Sequence, residues 1–102
     1  MHWHQGRGMS LEFEWDPTKS RQNVIKHGIS FREGATAFAD ELSFTISDPE
    51  HSEGEFRFLL LGLSSSGNLL VVSHTERGDR IRIISVRRAT KQERDQYAQS
   101  KP

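Results

Sequence analysis

The 102-residue chain contains no cysteine. That absence excludes disulfides, thiolate metal sites and cysteine nucleophiles, and it fits a reducing cytosol. Long apolar runs are missing too. The longest, Leu59-Leu60-Leu61-Gly62-Leu63, falls far short of the ~20 residues of a membrane-spanning helix. No apolar stretch follows the first charges, so no secretory signal is visible. A cytoplasmic protein with no membrane contact is the expectation. Apolar residues are also scarce, at 33% of the chain, which limits the core. Six phenylalanines partly offset this, because each ring buries a large area. The length suffices for one domain and not for two.

Net charge is absent as well, but the charge is unevenly placed. Residues 1–55 hold five Lys/Arg against ten Asp/Glu, whereas residues 56–102 hold nine against four, and seven of those nine are arginine. Arginine presents a planar fork that matches phosphate, so the second half is where an anionic partner is expected. Ordinary surface charge, mixed together by folding, is the plain alternative.

Residues 1–10 show no periodicity and contain two glycines. They read as a disordered tail or upstream extension with Met9 as a possible start, and residues 11–99 as the single domain. His2 and His4 form only a weak metal-chelating pair. From Leu11 to Trp15 apolar and acidic residues alternate, as in a half-buried strand. Asp16 and Pro17 then suit the N-cap and first position of a helix, which Gly28 ends in a left-handed C-cap. Ser30 and Glu33 form a capping-box pattern, opening a second helix to about Asp40, with Phe31, Ala35 and Phe38 as its apolar stripe.

Leu42–Ile46 alternates like a strand, and Ser47–Gly54 is a polar loop. Three further strands follow, at Glu55–Leu63, Leu69–Thr75 and Arg80–Arg87, joined by turns short enough to require antiparallel pairing. Thr90 and Glu93 suit another capping box, for a helix ending at Gln99. The predicted order is β-α-α-β-β-β-β-α: an α+β domain with a curved, mainly antiparallel sheet, helices on one face, and the other face partly open.

The chemistry-bearing residues gather around this sheet. Arg80 and Arg82 share one strand face and Ile81 and Ile83 the other, but Ile84 and Val86 then fall on the arginine side. A bulge near Ile83-Ile84, or a strand covered on both sides, would resolve that slip; the plain reading of the arginines is an edge strand protected by charge. Arg57 and Glu55 share a parity, His74 reads as a structural histidine among apolar residues, and His51 lies in a loop. Familiar nuclease metal motifs and a Gly-rich phosphate loop are missing. For a nuclease, metal-free chemistry is the better reading, because the RNA's own 2′-hydroxyl can attack the neighbouring phosphate, given a proton acceptor, a proton donor and cations at the phosphorus. Lys26, His27, His51 and Glu55 are candidates for proton transfer, and the arginines for charge stabilisation. A non-catalytic module that grips RNA or a protein with the same face uses the same residue types, and the strand placement of the basic charge argues against a DNA groove reader.

Taken in order, the motifs carry a resemblance. Phe13-Glu14-Trp15-Asp16-Pro17-X-Lys19 is followed by Asn23-X-X-Lys26-His27-Gly28-Ile29-Ser30-Phe31. His51-Ser52-X-Gly54-Glu55-X-Arg57-Phe58, Gly62 and Val71-Val72-X-His74-Thr75-Glu76-Arg77 come next, then Arg82-Ile83-Ile84-Ser85-X-Arg87-X-Ala89. Over about residues 11–97 this resembles the BrnT ribonuclease toxins of type II toxin–antitoxin systems. The resemblance implies a fold similar to the RelE toxins and an endoribonuclease that needs no cofactor or metal and blocks translation. It implies a BrnA-like ribbon–helix–helix antitoxin as partner, with operator DNA bound only through that complex, and a toxin dimer is a reasonable arrangement. Carried over by motif, Lys26, Glu55, Arg57, Arg77 and Arg87 are the catalytic candidates, and His27, Arg80, Arg82 and Arg88 contact RNA. Val86 stands where the pattern favours alanine, a departure expected to affect packing alone.

Overall fold

The structure, a computed structural model, describes residues 11–51 and 54–100; the 1–10 segment, with His2, His4 and Met9, lies outside the described residues. The elements are β1 (Glu12–Glu14), α1 (Pro17–His27), α2 (Phe31–Thr36), β2 (Phe44–Ser47), β3 (Phe58–Leu63), β4 (Leu69–Arg77), β5 (Arg80–Arg88) and α3 (Lys91–Gln99). Single 3-10 turns at Ala37–Ala39 and Pro49–His51 complete the set. The five strands form one sheet in the order β1-β5-β4-β3-β2. β1 runs parallel to β5 and every other neighbour is antiparallel. The α+β class and the element order are those read from the sequence.

Local chemistry explains the boundaries. The Asp16 side chain accepts the Thr18 amide at 2.8 Å, and Gly28 closes α1 at φ 74°, a left-handed conformation that costs a glycine little. Ser30 caps α2 through the Glu33 amide at 3.0 Å. The Glu33 carboxylate, however, does not close the expected capping box. It turns to the β3–β4 turn and accepts from Ser64 and Asn68, both at 2.7 Å. At α3 the box is complete, with Thr90 and Glu93 each accepting from the other's amide.

Several expectations shift. The second helix is broken after Thr36 into a 3-10 turn, β2 begins at Phe44 rather than Leu42, and β3 begins at Phe58 rather than Glu55. Helices also occupy both faces rather than one. Phe31, Ala35, Ala37 and Phe38 pack with Leu60, Leu70, Val72, Ile81, Ile83 and Val86 on one side of the sheet. Tyr97 of α3 packs with Leu61, Val71 and Ala89 on the other. The reason is parity: β3 and β4 are apolar on both faces, and such strands need cover on both. Full burial of a side chain such as Phe31 contributes about 1.5–3 kcal/mol, and Phe31 is completely buried.

The anticipated bulge is present. Ser73 pairs with Ser85 but His74 pairs with Ile83, which leaves Ile84 as the extra residue in β5. The slip returns Val86 to the core face, where it is completely buried, and keeps Ser85 and Arg87 on the face of Arg80 and Arg82. His74 is structural, buried with its ring edge-on to Phe38 at 4.9 Å and beside Phe58 at 5.9 Å.

β1 pairs only with the first three residues of β5, so a new partner takes over the rest of that edge. α1 contributes a single buried residue, Asn23. Its side-chain amide donates to the Val86 carbonyl at 2.8 Å and accepts the Val86 amide at 3.1 Å, as a neighbouring strand would. It also donates to the Ile29 carbonyl at 2.9 Å, fixing the chain that leaves the helix. α1 is therefore held to the sheet by hydrogen bonds more than by apolar burial, and Ile25 is left 85% exposed.

Candidate active site

α3 covers only one end of its sheet face. Tyr97 and Val71 mark that end, whereas Arg77 closes β4 six residues beyond Val71, about 20 Å at strand rise. The uncovered end is polar and built by register. Glu12 and Glu14 of β1 stand opposite Arg80 and Arg82 of β5, and those arginines stand opposite Arg77 and Thr75 of β4.

The carboxylate of Glu14 is the hub. Arg82 Nη1 donates to its Oε2 at 3.0 Å, Arg77 Nη1 lies 3.8 Å from the same oxygen, and Arg80 Nη1 lies 3.5 Å from Oε1. The hydrogen bond from Arg82 is the largest influence holding the Glu14 carboxyl below its ordinary value; desolvation opposes it, and the positive charges of Arg82 and Arg77 add to it. Arg77 reaches outward as well, donating from Nη2 to Glu55 Oε1 at 3.1 Å. Glu12 lies 3.6 Å from Arg80 Nε. The cluster thus holds three guanidiniums and three carboxylates. Arg77 is about half exposed, as is Glu55, and Arg80 and Glu12 are more exposed still. Thr75 lies beside Arg82 in the ladder, buried, and its hydroxyl finds no hydrogen-bond partner among the described residues.

The nine residues singled out in the sequence are thereby distributed. Glu55, Arg77, Arg80 and Arg82 are brought together around Glu14. Arg87 shares their face but is held by Glu93 in a two-pronged pair of 2.8 and 2.9 Å, chiefly for which the Glu93 carboxyl is held down at about 2. Arg57 precedes β3, and its carbonyl accepts the Asp48 amide at 2.8 Å, closing the loop that carries Glu55. Lys26 and His27 line a separate groove between α1 and β5. Arg88 pairs with Leu70 in the ladder and acts electrostatically on Glu33, on the α2 side of the sheet. His51 is paired with Asp48 at 3.0 Å.

Glu14 and Thr75 were not picked out as site residues. Glu14 read as the solvent side of a half-buried strand, and only its parallel pairing with β5 turns that side toward the arginines. The signal was present as the shared parity of Glu12 and Glu14 with Arg80 and Arg82, but parity cannot reveal which strands are neighbours. Among the described residues, no group of three or more His, Asp or Glu side chains is placed to hold a metal ion. No helix of the described residues is long and apolar enough to cross a membrane.

Comparison with known proteins fits this architecture. The chain is similar in fold to the crystal structure of the Brucella abortus ribonuclease toxin BrnT, at a TM-score of 0.58 and 20% identity, covering 79% of this chain and 99% of the Brucella chain. No curated protein sequence matches. Residues 15–93 match the family model described as the ribonuclease toxin, BrnT, of type II toxin–antitoxin systems. With that match spanning most of its length, the chain belongs to the BrnT family of ribonuclease toxins.

Proposed function

We propose that the open end of the sheet is an endoribonuclease site that works without a metal ion or other cofactor, and that its cleavage of RNA inhibits translation in the cytoplasm. The observation that carries this reading is the convergence of Arg77, Arg80 and Arg82 on one face, with Glu55 attached to Arg77. Guanidiniums arranged this way stabilise the charge that develops on a phosphate's non-bridging oxygens.

The Arg77–Glu55 pair gives the cluster a way to engage substrate. An incoming phosphodiester takes the place of Glu55 on Arg77. The released carboxylate then stands beside the scissile phosphate and accepts the proton of the 2′-hydroxyl. That oxygen attacks phosphorus, the bond to the 5′-oxygen breaks as that oxygen takes a proton from water, and the products are a 2′,3′-cyclic phosphate and a 5′-hydroxyl. Glu14 keeps its charge and holds Arg82 and Arg80 in place. In this reading Arg57 and Arg87 flank the centre and Lys26 with His27 extends it along α1. Arg88 is assigned to holding Glu33. A module that only binds RNA has no use for carboxylates that oppose phosphate, and this favours catalysis.

The partner in this proposal is a BrnA-like ribbon–helix–helix antitoxin, which covers the site and carries the complex to operator DNA. Growth arrest provides the test. Expression of the parent chain arrests a host, co-expression of the antitoxin relieves the arrest, and folded Glu55→Gln or Arg77→Ala chains grow normally. Arrest of equal strength by both folded variants would contradict the assignment.

A further inference from the structure

The arginine cluster accounts for one phosphate, and the groove between α1 and β5 that holds Lys26 and His27 is a second basic feature beside it. Its volume is about 200 Å³, and it is lined by Lys19, Gln22, Lys26, His27, Ile84 and Ser85 around the buried Asn23. None of these residues is acidic, in contrast to the charge-balanced cluster. Lys19, Gln22, Asn23 and Lys26 fall at i, i+3, i+4 and i+7, one stripe of the helix. The bonds from Asn23 to Val86 fix that stripe against the strand edge that β1 leaves unpaired.

The groove also adjoins the cluster. Ser85 and Arg82 share a sheet face on either side of the Ile84 bulge, opposite Ser73 and Thr75 of β4. That is a separation of about 7 Å at strand rise, within the reach of a neighbouring nucleotide. The bulge puts Ile84 into the groove wall, where it offers an apolar surface to a base. Gln22 and Ser85 supply amide and hydroxyl groups of the kind that read base edges. The lysines supply charge for a phosphate.

We infer that this groove seats the nucleotide next to the cleaved bond of a single-stranded RNA, with Lys19 and Lys26 on its phosphate and Gln22 selecting its base. The inference rests on the ribonuclease reading above. Gln22 and Lys19 belong to neither the arginine cluster nor its proton-transfer groups, and both are exposed, so their variants keep the fold.

The test uses short RNAs that differ only in the nucleotides flanking the cut, cleaved by the parent, Gln22→Ala and Lys19→Ala chains. Binding of the uncleavable 2′-deoxy versions is measured alongside. The Gln22→Ala chain should lose ~5- to 100-fold of the parent's discrimination among flanking bases. Lys19→Ala should weaken binding to all sequences alike and reduce the slope of log affinity against log salt by roughly 0.7–1. A parent that cleaves with a flanking preference untouched by Gln22→Ala, and a salt slope untouched by Lys19→Ala, would overturn the groove assignment while leaving the ribonuclease reading intact. A parent that cleaves nothing, yet binds single strands in a way that depends on Lys19 and Gln22, would support the groove and overturn the ribonuclease reading. Loss of antitoxin affinity with unchanged RNA binding would make the groove a protein interface and overturn the inference.

Discussion

Asn23 and Val86, 63 positions apart in the chain, are joined by a reciprocal pair of hydrogen bonds of 2.8 and 3.1 Å, the side chain of one to the backbone of the other. This bridge replaces the strand that β5 lacks beyond β1 and places α1 beside the proposed site. Asn23→Ala leaves the Val86 amide and carbonyl and the Ile29 carbonyl without this partner. At about 1–3 kcal/mol for each group left unsatisfied when buried, offset by relaxation and water entry, the variant should lose about 2–4 kcal/mol in chemical denaturation. Asn23→Asp should rescue little, because it presents an acceptor to two carbonyls.

Val86 also packs against Gly34, where an added Cβ would lie 2.5 Å from Val86 Cγ2. The Val86 side chain fills space that the glycine leaves. Gly34→Ala should therefore destabilise the fold by about 1–3 kcal/mol through overpacking. In the Val86→Ala background the same change should cost much less, and a double-mutant cycle measures that coupling.

The class, the element order, the capping residues and the bulge were legible, because they depend on local periodicity and on turn and cap residues, whereas the Glu33 carboxylate left its expected box for partners 31 and 35 positions away. Opposed faces for α2 and α3 were not, since Leu59-Leu60-Leu61 is apolar on both sides and alternation cannot say which helix covers which. The site was half legible. Arg80 and Arg82 announced a charged face, but the role of Glu14 depends on a parallel pairing between residues nearly 70 positions apart. Asn23 looked like an ordinary helix residue, because a side chain that imitates a strand leaves no periodic trace.

Glu93 ties Arg87 to α3, and its carboxyl sits at about 2, below the ordinary 4.5. A carboxyl depressed in the folded state stabilises the protein above its unfolded value, and the contribution is lost as pH falls from about 4.5 toward 2. Glu93→Gln retains a side chain able to cap Thr90, yet should lose about 1–2 kcal/mol at neutral pH. The difference from the parent should shrink on acidification and vanish near pH 2, as read by denaturation at a series of pH values.

His74 titrates in the opposite chemical sense with the same pH direction. Burial pushes its imidazole below the ordinary 6.5, against smaller opposing effects of the Val72 carbonyl and the Glu76 charge. The unfolded chain takes up a proton near 6.5 that the folded chain refuses, so stability falls as pH drops through that value. His74→Leu should flatten the fall in melting temperature between pH 7.5 and pH 5. An equally steep fall in the variant would assign the slope to other groups.

Glu55 and Arg77 as a metal-free ribonuclease pair are tested most directly by incubating the purified chain with end-labelled single-stranded RNA in excess chelator. The parent should cleave it to 2′,3′-cyclic phosphate ends. Folded Glu55→Gln and Arg77→Ala chains should each be slower by roughly 10²–10³-fold, the scale of removing a general base or a charge-stabilising donor. Cleavage that disappears with chelator and returns with a divalent metal ion, or that proceeds at the parent rate in both variants, would contradict this assignment.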